Sequence, residues 1–501
     1  MDTVVAAALD TFNTPGLSVA VVSSNTVLLQ KGYGKRDISE DLPVTPQTYF
    51  RLASTSKAFT AASIAILVDQ EKLNWDDRVI DHLPEFRMFD PYVTREMTVR
   101  DLLSHRSGLG GGAGDSMLWP EPAGFSRSEI VHNLRYLTPQ SSFRSRYAYS
   151  NVMYITAGEI VANIAQQDWS DFVDEQLFAP LQMACFAGDV PKSALRNVAL
   201  PYGFDEQTGL YLIPRNAIHH KGLASAAAGG LVCSAEEMSK WLMALLSDAR
   251  AIALDQEQSY RPELPFSPQQ LQEIWSPNTL LGMSEFEQEW DGTVLKAYAM
   301  GWRISHLNNT RIISHTGTLS GYQAYVALIP DVDIGVVILN NGSNYGARSA
   351  VMQSILRHFV MSAEQQDWVA LYQDYQAKRE QEYWAEYTEP NGTGQVVLDP
   401  LAYAGTYLDP WFGTIHINVE SGTLRIRSDK MPTLVGSMLP FNDHTWVIRW
   451  DNQNAASDAF IHFHVGIDNR VNGFILAPFT SEQTDNHEWK DMRFERVKSD
   501  E

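Results

Sequence analysis

Three short segments carry residues whose types and spacing suit acyl transfer. They are Ser54-Thr55-Ser56-Lys57, Tyr149-Ser150-Asn151 and His315-Thr316-Gly317. Together they supply a hydroxyl nucleophile, two candidate bases and a polar strand edge, so the chemistry would not need a histidine–aspartate pair. Each segment alone is weak evidence, because a chain of this length holds roughly one or two Ser-x-x-Lys matches by accident. The order of the segments and the structural setting of each one give them weight.

The first segment opens a helix that is apolar nearly all round, running from Lys57 to Val68. Such a helix is expected in the core, with Ser54 at its amino-terminal end, where free backbone N–H groups favour an oxyanion. Lys57 follows one turn later on the same face, and burial would lower its pKa toward a value that suits a base. The alternative is a helix-capping serine and a lysine that extends to water.

The second segment precedes an apolar helix predicted over 152–164, so it lies on a loop at a helix entrance. A phenol at Tyr149 near a cationic lysine can be partly ionised and can therefore shuttle protons. Asn151 offers both a donor and an acceptor for a substrate amide. The alternative is a turn tyrosine followed by a helix-capping asparagine.

The third segment closes a β-rich run and is followed by Thr318 and Gly321. Glycines near a strand allow a substrate to approach the backbone closely. The Thr318 N–H could act as an oxyanion donor beside the Ser54 N–H. The alternative is that His315 is an ordinary histidine at a strand end.

The surrounding pattern predicts how these segments are positioned. Residues 16–33 indicate a hairpin with a helix over 3–12 beside it, and residues 298–341 form a second β-rich region. The stretch between them is mostly helical, with capping boxes at Ser126 and Ser234. Strands at both ends with helices between them predict one sheet that both ends complete, with a helical part inserted.

The predicted fold class is therefore α/β (α+β): an antiparallel sheet flanked by helices, plus a helical subdomain, followed by an all-β domain. The first domain is predicted to span 1–360, a helical connector 361–394, and the last domain 395–501. In that last domain Ile415, Ile417 and Val419 alternate with polar residues, which is typical of a small antiparallel barrel or sandwich.

Composition excludes several classes of function. A formal net charge of −22 argues against nucleic acid and anionic membrane surfaces as partners. No apolar stretch is long enough to span a membrane and no signal peptide is visible, so we expect a cytoplasmic protein, or a periplasmic one if a leader was removed. Cys185 and Cys233 are expected to be buried thiols. No metal and no other cofactor is expected, and a homo-oligomer is left open.

These segments together resemble the serine β-lactamase and penicillin-binding-protein family, on the branch of class C β-lactamases, D-aminopeptidases and related carboxylesterases. Blocks at 49–54, 98–109 and 228–231 are also similar to characteristic blocks of this family. The resemblance covers residues 1 to about 360. From about 395 onward, with Tyr403-Ala404-Gly405-Thr406-Tyr407, the chain resembles the lipocalin-like barrel appended to some of these hydrolases.

The resemblance implies a role for each residue. Ser54 would be the nucleophile and Lys57 its activator, Tyr149 would protonate the leaving group, and Asn151 would orient the substrate amide. His315 stands where β-lactamases and transpeptidases of the family carry a lysine. A mostly uncharged histidine binds a carboxylate less strongly, so the resemblance favours esterases and D-amino-acid peptidases.

The predicted function is a serine hydrolase that cleaves amide or ester bonds of small acyl compounds or short peptides, including peptides that contain D-amino acids, through an acyl-enzyme on Ser54. One alternative is a penicillin-binding D-Ala-D-Ala carboxypeptidase or β-lactamase. The other is a non-catalytic assembly protein that keeps only the fold. We also expect the β-domain to close over the cleft, either its own or that of a neighbouring copy, and to restrict substrates to small acyl compounds or short peptides.

Overall fold

The computed structural model describes residues 1–214, 223–254, 263–361, 366–388, 390–452, 458–479, 489 and 491–498. The helices, in chain order, are α1 (Asp2–Thr11), α2 (Lys57–Asp69), α3 (Val79–His82), α4 (Pro91–Glu96), α5 (Val99–Leu103), α6 (Arg127–Asn133), α7 (Asn151–Ala165), α8 (Trp169–Val173), α9 (Lys192–Leu195), α10 (Ala235–Leu254), α11 (Pro268–Ile274), α12 (Glu285–Asp291), α13 (Gly346–Val360), α14 (Trp368–Glu386) and α15 (Pro400–Tyr403). The strands that precede α13 are β1 (Gly16–Val22), β2 (Val27–Asp37), β3 (Leu42–Pro43), β4 (Tyr49–Arg51), β5 (Tyr202–Asp205), β6 (Gly209–Leu212), β7 (Val232–Ser234), β8 (Thr279–Leu280), β9 (Ala297–Tyr298), β10 (Arg303–Leu307), β11 (Thr310–Leu319), β12 (Tyr322–Ile329) and β13 (Ile334–Asn340). The strands after α14 are β14 (Gln395–Val396), β15 (Gly405–Asp409), β16 (Gly413–Glu420), β17 (Thr423–Ser428), β18 (Val435–Asp443), β19 (Thr445–Trp450), β20 (Ala459–Val465), β21 (Val471–Pro478) and β22 (Arg493–Arg496).

The first sheet joins the two ends of the first 340 residues, as the sequence predicts. Its strand order is β3-β2-β1-β13-β12-β11-β10-β9-β8. The middle pair, β1 and β13, runs antiparallel from Leu17 opposite Asn340 to Val22 opposite Gly335. Every residue of both strands is buried, because α1 and α13 cover one face of the sheet and α10 packs on the other side.

The helical part lies between β4 and β8 and surrounds α2. Eleven of the thirteen residues of α2 are buried, so this helix runs through the core. The capping box at Ser126 and Glu129 forms as predicted and opens α6. At Ser234, the predicted start of α10, the Glu237 N–H donates to the serine hydroxyl.

Strands β15 to β22 form a closed barrel of eight strands. Each of these strands pairs antiparallel with its neighbours in sequence, and β15 pairs with β22 to close the ring. Inward residues such as Ile415, Ile417 and Phe463 are buried, while the residues between them face outward. The predicted alternation therefore gives an up-and-down barrel.

The barrel packs against the helical part next to α6. The Lys430 ammonium lies 2.6 Å from the Glu129 carboxylate, and the Gly124 N–H donates to the Lys430 carbonyl oxygen over 2.6 Å. The Asn133 side chain donates to the Trp411 carbonyl oxygen over 2.8 Å. Buried residues of the barrel and of the helical part belong to one continuous apolar cluster.

The structure also bears on the predictions for the two cysteines and for membrane-spanning helices. Cys185 and Cys233 form a disulfide, which corrects the expectation of two separate buried thiols. Their spacing of 48 residues gave no sign that β7 would bring them together. Within the described ranges, none of the helices combines the length and the apolar character needed to cross a bilayer.

Candidate active site

Ser54 lies in a tight 3₁₀ turn, Ala53–Ser56, that leads directly into α2. Ala53 has a left-handed backbone conformation with φ of 48°, which few non-glycine residues adopt and which turns the chain sharply just before Ser54. The Thr55 hydroxyl donates to the Leu52 carbonyl oxygen over 2.8 Å and fixes the turn. The predicted position of Ser54 at the start of a core helix is therefore observed.

Strand β11 passes directly behind this turn, and Gly317 makes that approach possible. A Cβ atom at Gly317 would lie 2.4 Å from the Leu52 carbonyl oxygen and 3.0 Å from the Ala53 Cβ atom. Only glycine fits that distance. Gly317 was expected to let a substrate approach the strand, whereas in the structure the backbone at Leu52, just before the Ser54 turn, occupies this space.

Lys57 is fully buried and points at the Ser54 hydroxyl. Its ammonium nitrogen lies 3.2 Å from the Ser54 hydroxyl, 2.6 Å from the Asn151 side-chain oxygen and 2.7 Å from the Ala228 carbonyl oxygen. Burial holds the pKa of Lys57 well below its ordinary value, and this effect outweighs the opposing charge of Asp115. The alternative of a lysine that extends to solvent is excluded, because Lys57 is 0% exposed.

Tyr149 lies on the loop before α7, and its ring centre is 4.7 Å from the Lys57 ammonium nitrogen. Burial raises the pKa of Tyr149, and this outweighs the lowering effects of the Arg303 charge and the Ser54 hydroxyl. The expectation of a partly ionised phenol is therefore wrong. For both Lys57 and Tyr149, burial shifts the pKa toward the neutral form, a free amine and a protonated phenol.

The ring of His105 packs against the ring of Tyr149. Its Nδ1 atom accepts a hydrogen bond from the Ser150 N–H over 3.0 Å, and its ring centre lies 4.4 Å from that of Tyr149. Burial keeps the pKa of His105 well below its ordinary value, so the ring is neutral. His105 belongs to the block at 98–109 that is similar to the family, but no role could be predicted for it from the sequence.

Asn151 bridges two functional side chains. Its oxygen accepts from Lys57, and its amide nitrogen donates to the Asp115 carboxylate over 2.9 Å. The amide is therefore committed to orienting Lys57, although Asn151 also lines the cavity. Asp115 was not singled out from the sequence, because its contribution depends on the loop that returns it to α7.

His315 lies near Tyr149, with the two ring centres 6.3 Å apart, but among the described residues it is not part of the cavity wall. It is 1% exposed, its Nε2 atom is 2.9 Å from the Tyr298 hydroxyl, and its Nδ1 atom is 2.7 Å from the Thr316 carbonyl oxygen. Burial lowers its pKa well below the ordinary value, so the ring is neutral. With both nitrogens occupied inside the protein, His315 does not reach the cavity as a substrate ligand.

A cavity of about 490 Å³ opens in front of Ser54. Of the predicted site residues, the cavity wall includes Ser54, Tyr149, Asn151, Thr316 and Thr318. Trp119, Pro120 and Glu121 form another part of the wall, and Asn452, just beyond β19 of the barrel, contributes from the far side. The barrel of the same chain therefore takes part in the site.

Arg303, at the start of β10, also lines the cavity. One of its terminal nitrogens donates to the Thr316 hydroxyl over 3.2 Å, and its guanidinium carbon lies 6.0 Å from the centre of the Tyr149 ring. Gly301, two residues earlier, has φ of 78°, and a Cβ atom there would lie 2.8 Å from the Lys57 carbonyl oxygen. Sequence reasoning missed Arg303, because one arginine at the start of a short strand carries no motif.

Comparisons with known proteins agree with this geometry. The family model described as Beta-lactamase matches residues 1–357, and a domain of unknown function, DUF3471, matches residues 399–496. An unguisins hydrolase, ungD', from Aspergillus campestris is 28% identical over 460 residues, which cover 87% of this chain and 81% of the relative. The chain belongs to the beta-lactamase family and is a beta-lactamase-fold hydrolase.

Two solved structures show the same fold. The octameric penicillin-binding protein homologue from Pyrococcus abyssi matches with a TM-score of 0.62 and 18% identity, over 98% of both chains. A class C beta lactamase from Rhodobacter sphaeroides matches with a TM-score of 0.55 and 22% identity, over 72% of this chain and 99% of the other. The first neighbour shares the full length, while the second spans a smaller part of this chain.

Proposed function

We propose that this protein is a serine hydrolase that cleaves amide or ester bonds of small acyl compounds or short peptides, including those with D-amino acids, through an acyl-enzyme on Ser54. One observation carries the proposal: a fully buried Lys57, with a lowered pKa, lies 3.2 Å from the Ser54 hydroxyl. A neutral amine at that distance is within reach of the proton that the nucleophile must lose.

In the proposed mechanism, Lys57 takes the Ser54 proton as the hydroxyl oxygen bonds to the substrate carbonyl carbon. The backbone N–H groups of Ser54 and Thr318 would stabilise the oxyanion. Tyr149, held protonated by its raised pKa, donates a proton to the leaving group as its bond to carbon breaks, and is reprotonated from Lys57. Water then bonds to the acyl carbon as the bond from that carbon to the Ser54 oxygen breaks. One water proton passes through Lys57 to the Ser54 oxygen, and the acid is released.

The test uses p-nitrophenyl acetate as the probe. We expect intact-mass analysis of the rapidly quenched protein to show one acetyl group, which peptide mapping assigns to Ser54. Ser54→Ala should lose this label and at least about 10³-fold of kcat/KM. Ser63→Ala is the matched control, because Ser63 is buried in α2 and its hydroxyl donates to the Phe59 carbonyl oxygen, away from the cavity.

A Ser54→Ala variant with wild-type turnover would refute the proposal. It would favour instead the alternative in which the chain keeps the fold for a non-catalytic purpose. Acetylation of a different residue, at the same level in wild type and in Ser54→Ala, would also refute the proposal.

Two structural proposals accompany this function. We propose that the chain divides at 1–360, 361–394 and 395–501, which the extents of the two family matches support. We also propose a homo-oligomer, because the structural neighbour from Pyrococcus abyssi is octameric. Light scattering coupled to size-exclusion chromatography tests the second proposal, and a mass of one chain at micromolar concentration would reject it.

A further inference from the structure

His105 is a buried ionisable residue that the proposed mechanism does not use. It follows α5, is 0% exposed and has φ of 56°, a left-handed conformation that histidine and asparagine adopt more readily than most residues. In the part of the chain that the structure describes, its Nε2 atom is buried and has no hydrogen-bond partner. A buried polar atom without a partner costs free energy. Packing alone therefore does not explain a histidine at this position, because an apolar ring would fill the space without that cost.

The hydrogen bonds of His105 fall on both sides of Tyr149 in the chain. Its carbonyl oxygen accepts from the Ala148 N–H over 2.9 Å, and its Nδ1 atom accepts from the Ser150 N–H over 3.0 Å. One residue thus fixes the backbone directly before and directly after the phenol. The first bond uses the main chain, which every residue has, whereas the second needs a side-chain acceptor at the position of Nδ1.

Aromatic neighbours hold the imidazole ring itself. Its centre lies 4.4 Å from the ring centre of Tyr149, 4.5 Å from that of Tyr298, 5.2 Å from that of Tyr154 and 5.6 Å from that of Tyr147. Close packing on several sides leaves the ring little freedom to move. His105 therefore supports Tyr149 rigidly, through the ring and through the backbone together.

The hydrogen bond from Ser150 requires the neutral form of His105, because a protonated imidazole has no acceptor atom. Burial lowers the pKa of His105 well below its ordinary value, and the charges of Lys57 and Arg303 act in the same direction. The two cations of the site thus keep Nδ1 available as an acceptor, and the ring hydrogen then lies on Nε2.

We propose that His105 is a positioning residue that holds the Tyr149 hydroxyl in line with the leaving-group atom. The inference rests on the proposed function, in which the Tyr149 O–H gives its proton to the leaving group as the bond from the acyl carbon breaks, and recovers a proton from the Lys57 ammonium. The ring centre of Tyr149 lies 4.7 Å from the Lys57 ammonium nitrogen, so a shift of the phenol changes both transfers. His105 touches no reacting atom in this scheme and acts only through Tyr149.

The test compares p-nitrophenyl acetate with benzyl acetate, which share the acyl group and differ in how much the leaving group needs a proton. The p-nitrophenolate leaves as a stable anion, whereas benzyl alcohol must gain a proton as the bond from the acyl carbon to its oxygen breaks. The readout is the ratio of kcat/KM for benzyl acetate to kcat/KM for p-nitrophenyl acetate. A general loss of folded protein or of Ser54 reactivity lowers both values and leaves this ratio unchanged.

Three variants give the expected pattern. Tyr149→Phe should lower the ratio by at least about 10²-fold, the usual contribution of a general acid. His105→Leu removes the Nδ1 acceptor and should lower the ratio by about 10- to 100-fold, as expected for a displacement of about 1 Å. His105→Asn should keep most of the wild-type ratio, because its side-chain oxygen stands at the position of Nδ1 and asparagine tolerates a positive φ.

A double variant separates positioning from a structural role. If His105 acts only through Tyr149, adding His105→Leu to Tyr149→Phe should not lower the ratio further. Ile130→Ala is the control for stability: Ile130 is buried in α6 and is not among the described residues that line the cavity, so this variant should lower the unfolding temperature and keep the wild-type ratio. Where His105→Leu does not fold, His105→Gln takes its place, because the glutamine amide lies one bond too far from the backbone to replace Nδ1.

Each outcome decides the inference. A wild-type ratio in His105→Leu, a ratio in His105→Asn as low as in His105→Leu, or a further fall in the double variant overturns the assignment of His105. A wild type that cleaves only p-nitrophenyl acetate, or a Tyr149→Phe variant that keeps the wild-type ratio, also overturns it, because no protonation of the leaving group then remains to be positioned. In these cases acetylation of Ser54 leaves the proposed acyl-enzyme intact. Failure of both esters to acetylate Ser54 in wild type overturns the proposed function together with this inference.

Discussion

The close approach of β11 to the turn that carries Ser54 predicts a large effect for a single methyl group. In Gly317→Ala, the new Cβ atom would meet the Leu52 carbonyl oxygen at 2.4 Å, whereas ordinary contact begins at 3.4 Å. Neither side is a flexible side chain, because the obstacle is backbone that leads directly into Ser54. The strand and the turn must therefore separate by about 1 Å.

That displacement has two measurable consequences. Overpacking of this kind typically lowers the free energy of unfolding by about 1–3 kcal/mol. A displacement of about 1 Å between a nucleophile and the groups that orient the substrate costs on the order of 10²-fold in rate. We expect kcat/KM for p-nitrophenyl acetate to fall by about that factor, and the thermal midpoint to fall as well.

The assay measures both quantities on the same preparation, with Gly282→Ala as the control. Nothing lies within 4 Å of a Cβ atom built at Gly282, so this variant should behave as wild type. Wild-type kcat/KM and wild-type unfolding in Gly317→Ala would refute the reasoning. A loss of stability without a loss of rate would show that the turn and the strand move together.

Three further predictions follow from the contacts of the site. If neutral Lys57 is the base, kcat/KM falls when the pH drops below the pKa of Lys57. The charge of Asp115 raises this pKa, so Asp115→Asn should move the midpoint of the pH–rate profile to lower pH. Glu121→Gln leaves Arg51 buried without its counter-ion and should lower the free energy of unfolding by about 3–5 kcal/mol in chemical denaturation. Asn452→Ala opens the barrel side of the cavity and should raise kcat/KM for hexanoyl relative to acetyl esters of p-nitrophenol.

Exposed residues provide controls for the first and the last of these predictions. Asp331→Asn, in the turn before β13, should leave the pH midpoint in place, and Asn418→Ala, on the outside of the barrel, should leave the ester ratio unchanged. A pH midpoint that rises in Asp115→Asn would contradict the first prediction. A Glu121→Gln variant as stable as wild type would contradict the second, and an unchanged ester ratio in Asn452→Ala would contradict the third.

Much of the fold can be predicted from the sequence because the decisive patterns are local. Apolar runs on both sides of the helical stretch indicated the sheet, alternation near Ile415 indicated the barrel, and a fully apolar helix after Lys57 indicated a buried amine. These features depend on periodicity, which is visible in a short window of residues.

The remaining features of the fold and the site depend on contacts between segments far apart in the sequence, which a short window of residues does not predict. Arg303 enters the cavity only because β10 pairs with β11, and Cys185 meets Cys233 only because of the path of β7. The protonation of Tyr149 was predicted with the wrong sign, because the argument counted a nearby cation and not the degree of burial. His315 fits the family position in sequence, yet its side-chain direction depends on Tyr298.

The pairing of β1 with β13 also has a consequence for synthesis of the chain. Ser54 and Lys57 leave the ribosome early, but the strand behind them, β11, and the strand that closes the sheet, β13, emerge far later. Contacts so distant in sequence form slowly. The growing polypeptide therefore carries Ser54 and Lys57 without the buried surroundings of the complete fold, and the proposed acylation of Ser54 should first appear only after β13 has been translated.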